Sequence, residues 1–552
     1  MLDGVVPFPP EFASLYREKG YWQDKSLAAE FAAVFRRFGG RGALIDGDRR
    51  YTYLDIDALS RNLALNLLEL GLQPLDRVVL TLPNTAEFVL LYVALQTIGA
   101  IPVAGVAAHR HREISQFVRI SGATTCVYPE TQGDFRFGPV IERVQEQSAC
   151  LKFRLVLGTA GPGEHSLRDL IARTASLAPK ALDRISIDPA DPAVLQLSGG
   201  TTGLPKLVPR THNDYAYNSR AAAAVVGVTA DSVLLLVLPI AHNLSLGCPG
   251  IQGFMMNGAT IVLHARAQPA EMFALIEKHR VTHLTIVPAL LIRLINDPSI
   301  RHYDLSSLER IQSGGQRMQP EVRLRTRELI PSAFVQENFG MTEGLLMFVR
   351  IDDPENVKLH TCGRPISPGD EVKLCDEEGN EVPAGEVGEL TCRGPYTLRG
   401  YYGDSPCNTT HFTADGFYRS GDLMRLGPLG NYIVEGRKND LINRGGEKIS
   451  AEEIENLILM HEAVQNAACV AMPDAILGEK VCAFVITREG RSLTLGELVG
   501  FLQRKEIAKF KLPERLEVVQ EFPLSPLGKI SKNDLVELVT RRLEDERSAA
   551  SG

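Results

Sequence analysis

No two of the nine cysteines stand in a Cys-x-x-Cys pair. Cys126, Cys150, Cys248, Cys362, Cys375, Cys392, Cys407, Cys469 and Cys482 are scattered through 552 residues. That spacing indicates neither a zinc site nor a disulfide framework, and it fits a reducing cytoplasm. No run of basic residues occurs, and the formal net charge of −8 argues against nucleic acid as a partner. The amino terminus carries Asp3 and Glu11 and lacks the basic-then-apolar pattern of a secretory signal. No apolar run is long enough to span a bilayer. The most apolar stretch, Phe88 to Val106, is broken by Gln96, Gly99 and Pro102 and reads as a buried helix followed by a strand. Internal repeats and low-complexity tracts are also missing. What remains is a composition ordinary for a soluble globular protein, in a chain too long for one core, so two or more domains are expected.

Helical spacing at Leu27, Phe31, Val34 and Phe35, and again at Leu63, Leu67 and Leu70, alternates with strand-like runs such as Arg77–Leu82, Ala259–Leu263 and Leu284–Val287. Alternation of this kind up to about residue 345 predicts parallel sheets covered by helices. From about 368 to 435 the texture changes. Val372–Cys375, a turn at Asp376–Asn380 and Gly388–Thr391 predict a hairpin and a β-rich subdomain. A boundary is expected near Gly436–Asp440. Beyond it Ser450 and Glu453 predict a capping box that starts a helix with an apolar stripe at Ile454, Leu457 and Ile458. The fold expected is α/β: a large N-terminal domain (1–437) of two helix-covered sheets with the β-rich subdomain, and a small α+β C-terminal domain (438–552). The last residues, from about Arg541, are expected to fray.

The most informative stretch is Leu197 to Pro209. It sets Ser198, Thr201 and Thr202 among Gly199, Gly200 and Gly203, and it ends in Lys206. Glycines uncover backbone N–H groups, the hydroxyls add donors and the lysine adds charge, which together suit a polyphosphate. It is not a Walker A loop, because Leu204 and Pro205 separate Gly203 from Lys206.

This stretch resembles the phosphate loop of the adenylate-forming superfamily, which includes acyl-CoA synthetases, luciferases and the adenylation domains of nonribosomal peptide synthesis. Further segments resemble that family's motifs in the same order. They are Ser313-Gly314-Gly315-Gln316, Asn338-Phe339-Gly340-Met341-Thr342-Glu343, Tyr418-Arg-Ser-Gly-Asp422, Arg437, and the Pro523 to Lys529 loop. The resemblance implies that Gly314, Gly315, Gln316, Asn338 and Phe339 bind the adenine side of ATP. Asp422 and Arg437 would hold the ribose, Thr342 the α-phosphate, and Glu343 a Mg²⁺ ion. A carboxylate suits a cis-diol because it accepts two hydrogen bonds, and Mg²⁺ wants oxygen ligands. Catalytic roles fall to Lys529, Thr342 and His242. In the family the small domain rotates after the first step, and the pivot by position is Asn439.

The stretch Pro239 to Gly250 resembles the His-Asn segment of the aryl-acid subgroup, which activates salicylate or 2,3-dihydroxybenzoate for siderophore assembly. An asparagine at 243 can hydrogen-bond an ortho hydroxyl without adding charge. The implied acid pocket is His242, Asn243, Leu244, Cys248, Gly314, Gly340, Met341 and Leu346. Cys248 stands where dihydroxybenzoate relatives carry Ser, and Leu346 where they carry the smaller Val. A weak thiol donor and a bulkier apolar group disfavour a second hydroxyl, so salicylate is favoured over 2,3-dihydroxybenzoate. Leu244 leaves room for a substituted salicylate. The acyl acceptor implied is a phosphopantetheinylated aryl carrier protein, expected on a separate polypeptide because no carrier motif appears here. The alternatives are an aryl-CoA ligase using free coenzyme A and a non-catalytic binding protein of the same fold.

Overall fold

The computed structural model describes all residues except 199–205, 404, 446, 475, 506, 526–528 and 552. Two large sheets organise the chain up to about residue 365. One has nine strands in the order Arg364–Pro365, Gly344–Phe348, Phe334–Met341, Arg310–Gly314, His283–Ile286, Val233–Leu236, Thr260–Leu263, Gly42–Asp46 and Arg49–Thr52. Its six inner strands are parallel, and their side chains, such as Leu234, Leu235 and Leu236, are buried on both faces. The flanking strands at each edge pair antiparallel. The second sheet orders Leu207–Thr211, Pro192–Leu197, Ile101–Ala104, Arg77–Leu80, Thr125–Pro129, Phe153–Leu157 and His165–Ser166. It is parallel except where Pro192–Leu197 meets Leu207–Thr211. The expected parallel sheets are therefore present, with antiparallel strands added at edges. Phe88 to Val106 contains the buried helix Ala86–Ile98 and the strand Ile101–Ala104, as its pattern predicts.

The predicted hairpin is Glu371–Cys375 against Val387–Arg393. Tyr418–Leu426 and Tyr432–Arg437 extend it to a four-stranded antiparallel sheet. The rest of the chain forms a five-stranded sheet, Glu447–Ser450, Leu441–Arg444, Gly478–Thr487, Val464–Asp474 and Arg515–Val518. The helices Ala451–Ile458, Leu495–Arg504 and Lys532–Ser551 belong to this part of the chain. Ile442, Ile449, Ile454, Ile458, Val481 and Leu498 give it an apolar core of its own.

Two local expectations are corrected. Ser450 does cap its helix, accepting from the Glu453 N–H at 3.3 Å, but only half of the capping box forms. The Glu453 carboxylate is taken by the Lys511 ammonium at 2.7 Å, an ion pair that outcompetes a neutral backbone donor. The Ser450 hydroxyl instead donates to the Glu435 carbonyl at 2.7 Å. The carboxyl-terminal tail is helical to Ser551, held by ion pairs of Arg515 with Glu546 and of Arg542 with Glu517. Leu535 and Val539 are buried and Leu543 packs against them, which anchors the helix from its apolar side.

Candidate active site

Sequence-predicted residues gather outside the carboxyl ends of the parallel strands, where open α/β sheets bind ligands. Ser313 and Gly314 end one strand, and Asn338 to Met341 end its neighbour. Gly314 faces Asn338 across the pair, and a Cβ at 314 would lie 2.5 Å from Asn338 Nδ2. The position must be bare. His242 to Cys248 follow the strand Val233–Leu236. They form a short helical turn capped by His242 Nδ1, which accepts from the Leu244 N–H at 3.3 Å.

Asn243 is buried, with its amide fixed at both ends. Tyr215 Oη donates to Asn243 Oδ1 at 2.9 Å. Asn243 Nδ2 lies 3.3 Å from Cys248 Sγ and 3.5 Å from the Met341 carbonyl. Those two acceptors are long or weak, so the amide keeps donor capacity for a ligand oxygen. Burial pushes the Cys248 thiol up to about 11, so it remains a thiol. Leu346 pairs with Gly340 across adjacent strands, and its Cδ2 fills the space a Cβ at 340 would take, 2.5 Å away. Asn243, Cys248, Met341 and Leu346 are buried and lie together, with the exposed Gly340 against Leu346, and Leu244 is buried on the same turn.

On the nucleotide side, Asp422 and Arg437 are cross-strand partners. Arg437 Nε donates to Asp422 Oδ1 at 2.8 Å. Asp422 Oδ2 is buried with no partner among the described residues, as are Asn338 Oδ1 and Ser313 Oγ. A buried carboxylate oxygen left unpaired is costly, and a ribose hydroxyl would satisfy it. Burial raises the Asp422 carboxyl, and Arg437 opposes that rise. Phe339 is half-buried beside an apolar cluster that includes Met341, Leu345 and Leu390. Glu343 is buried; Tyr401 Oη donates to its Oε1 at 2.9 Å, and no cation pairs with it among the described residues.

Lys529 arrives from the C-terminal unit. Its Cε lies 2.7 Å, and its Nζ 3.3 Å, from where a Cβ on Gly315 would stand. Burial, helped by the Arg437 charge, lowers the Lys529 ammonium to about 8, while Asp422 and Glu343 pull the other way. Burial and the Lys529 charge hold His242 down to about 3, so its imidazole is neutral. One cation therefore sits between the His242 side and the Asp422–Glu343 side of the site.

The phosphate-loop residues Gly199, Gly200, Thr201, Thr202 and Gly203 lie outside the described residues. The loop's two ends are pinned together: the Ser198 N–H donates to the Lys206 carbonyl at 3.0 Å, and the Lys206 N–H donates to Ser198 Oγ at 3.1 Å. Gln316 follows Gly315, and the Thr342 carbonyl accepts from Arg210 Nη1 at 3.2 Å. Asn439 falls in the short turn Lys438–Asp440, and its side chain lies outside the described residues.

Sequence reasoning missed a supporting layer. Arg210 is fully buried and paired to Asp214 at 2.9 Å. It also reaches the carbonyls of Thr342 and Tyr396, fixing the phosphate-loop strand to the Thr342 turn. Tyr396 Oη accepts from the Leu346 N–H at 3.1 Å and donates to Asp370 at 2.6 Å. The local signal for the first of these was the Thr211/Asp214 capping box, which places Asp214 one helical turn from Arg210.

Comparison with known proteins agrees with this geometry. A family described as AMP-binding enzyme matches residues 31–402, and AMP-binding enzyme C-terminal domain matches residues 453–529. The chain belongs to the AMP-binding enzyme family, the adenylate-forming class whose motifs it carries. Three relatives match it nearly end to end. A Streptomyces protein named salicylyl-CoA synthase / salicylate adenylyltransferase is 44% identical over 541 residues, covering 97% of this chain and 98% of that one. A 2,3-dihydroxybenzoate-AMP ligase of Bacillus subtilis is 39% identical, covering 98% and 99%. A salicyl-AMP ligase / salicyl-S-ArCP synthetase of Mycobacterium tuberculosis is 41% identical, covering 97% and 94%. No helix among the described residues is long and apolar enough to cross a membrane.

Proposed function

We propose that the protein activates salicylate with ATP to give salicyl-AMP and pyrophosphate. It then passes the salicyl group to the phosphopantetheine thiol of an aryl carrier protein on a separate polypeptide, in siderophore or nonribosomal peptide assembly in the cytoplasm. The observation that carries this reading is the Lys529 ammonium lying against Gly315, near both His242 and the half-satisfied Asp422. A carboxylate and a polyphosphate repel, and a site that joins them must supply a cation where they meet.

In the first step a carboxylate oxygen attacks the α-phosphorus and the bond to the pyrophosphate oxygen breaks. Lys529 lies where it can bridge the incoming carboxylate and the α-phosphate. Neutral His242 lines that approach without adding a like charge beside the lysine. Lys206, at the mouth of the phosphate loop, faces the departing pyrophosphate. Asp422 and Arg437 hold the ribose, with Asp422 Oδ2 accepting a hydroxyl. Gly314, Gly315, Gln316, Asn338 and Phe339 line the adenine side. Glu343 fits Mg²⁺, because a single buried carboxylate with no cation paired to it among the described residues suits an ion that takes its remaining ligands from phosphates and water. Bound there, Mg²⁺ would neutralise charge on the triphosphate. The second step needs the lysine withdrawn so that a thiol can attack the carbonyl and expel AMP. Asn439 is the proposed pivot between domains 1–437 and 438–552.

In the acid pocket Asn243 Nδ2 would donate to the ortho phenol, with Cys248 and Leu346 opposite a ring edge that lacks a second hydroxyl. A second reading, 2,3-dihydroxybenzoate, is kept by the Asn243–Cys248 contact: a thiol beside the amide can still give a weak hydrogen bond. The names of the relatives divide the acceptor between coenzyme A and a carrier, and an aryl-CoA ligase is the alternative for the second step. ATP–pyrophosphate exchange across salicylate, 2,3-dihydroxybenzoate, substituted salicylates and benzoate tests the proposal. Salicylate should give the highest kcat/KM, and the absence of exchange with every hydroxybenzoate would sink it. Transfer of labelled salicylate to a carrier or to coenzyme A decides the acceptor.

A further inference from the structure

His411 is absent from every motif described above, yet its ring stands directly on the lysine of the phosphate loop. Its Nε2 is 3.4 Å from Lys206 Nζ, and Lys206 Nζ lies 4.8 Å from the centroid of the Tyr401 ring. His411 Nδ1 is 3.0 Å from the carbonyl of Cys407 in its own short helix, Ser405–His411. Nδ1 also lies 3.0 Å from Thr410 Oγ1 and 3.3 Å from Cys407 Sγ. With the Thr410 hydroxyl donating to the Cys407 carbonyl at 2.9 Å, Thr410 Oγ1 and that carbonyl both accept from an Nδ1–H, which leaves the Nε2 lone pair for the lysine. The ring is fixed by its surroundings, stacked 18° from parallel on Tyr418 at 6.5 Å and edge-on to Tyr401 at 5.7 Å. The helix itself is clamped to Tyr401. Asn408 Oδ1 accepts from the Tyr401 N–H at 2.7 Å, and Asn408 Nδ2 donates to the Tyr401 carbonyl at 3.1 Å. Tyr401 Oη in turn donates to Glu343. One cluster thus joins the lysine proposed for the polyphosphate to the carboxylate proposed for Mg²⁺.

We propose that His411 is a positioning residue for the triphosphate: its Nε2 accepts from Lys206 and holds that ammonium over Tyr401 at the mouth of the phosphate loop before nucleotide arrives. This rests on the reading of Lys206 as a polyphosphate contact. A lysine on its own has a long flexible stem, and ordering it on binding weakens affinity. An ammonium has three donors, so Lys206 can keep its bond to His411 and still give two to phosphate oxygens. Tyr401 supplies the second restraint through its ring face.

The test is nucleotide affinity, measured by calorimetry without any acid. His411→Phe keeps a ring against Tyr418 but has no acceptor, whereas His411→Gln offers a carbonyl at similar reach. ATP should bind His411→Phe about tenfold more weakly than wild type, and His411→Gln should recover most of that loss. AMP, which has no β- or γ-phosphate for Lys206 to reach, should bind all three proteins alike within about twofold. Unchanged ATP affinity in His411→Phe overturns the proposal. So does an equal loss for ATP and AMP, or a Gln variant no better than the Phe variant. If the ATP–AMP split holds while no hydroxybenzoate supports exchange, the role of His411 stands and the choice of acid falls.

Discussion

Raising the pH from 7 to 9 should switch off adenylation through a single side chain. Lys529 titrates near 8 rather than its ordinary 10.5, because burial and the Arg437 charge disfavour its ammonium form more than Asp422 and Glu343 favour it. Only the ammonium can bring a carboxylate and an α-phosphate together, so the competent form is present below about 8 and is lost above it. With that midpoint about nine-tenths of Lys529 is charged at pH 7 and about one-tenth at pH 9, so kcat/KM should fall about tenfold. A lysine with an ordinary midpoint would lose only about 3% of its charge over the same interval. The docked arrangement itself moves in the opposite sense. A base whose folded value lies below its unfolded one is destabilising while charged, so docking gains stability as pH climbs from 8 towards 10.5, by about 3 kcal/mol at most. His242, held near 3, stays neutral throughout and contributes to neither effect. The assay is pyrophosphate exchange at limiting ATP and acid between pH 6.5 and 9.5, with Lys529→Ala beside the wild type. That variant should lose about a hundredfold or more in rate, keep its affinity for ATP and show no alkaline limb. A flat wild-type profile, or the same limb in Lys529→Ala, would refute the reasoning.

Two further perturbations bear on the two ends of the substrate site. Cys248→Ser combined with Leu346→Val supplies a hydroxyl beside Asn243 and trims the side chain over Gly340. The preference for 2,3-dihydroxybenzoate over salicylate should rise about tenfold in exchange assays, and an unchanged ratio would mean the ring lies elsewhere. Asp422→Asn keeps an oxygen for Arg437 Nε but removes the charge and the second acceptor, Oδ2, which has no partner among the described residues, so the Tm should change little while the KM for ATP increases about tenfold. A fall in Tm with an unaltered KM would show that Asp422 serves the fold and not the nucleotide.

Much of the architecture was legible because it is written in local patterns. The run from Phe88 to Val106 and the hairpin either side of Asp376–Asn380 needed only periodicity and turn chemistry. The proposed site residues stand out as motifs, since Gly314, Asn338, Asp422 and Lys529 each sit in a short recognisable segment. Their support was not. Arg210 reaches Tyr396, Tyr215 holds Asn243, and His411 stands on Lys206, and each contact joins stretches with no shared periodicity. A side chain that acts only through another residue leaves no signature in its own neighbourhood. The half-formed capping box at Ser450 failed for a related reason: Lys511, far along the chain, captured Glu453.

Gly315 has a left-handed backbone, φ +92°, and no side chain where the lysine passes. The volume a methyl group would need is already occupied by another part of the chain. A substitution at this point would therefore strain the turn and push aside the tip of the Lys529 side chain, which comes from the far end of the sequence. On the proposed function, what residue 315 can be governs where the Lys529 ammonium stands when acid and ATP meet.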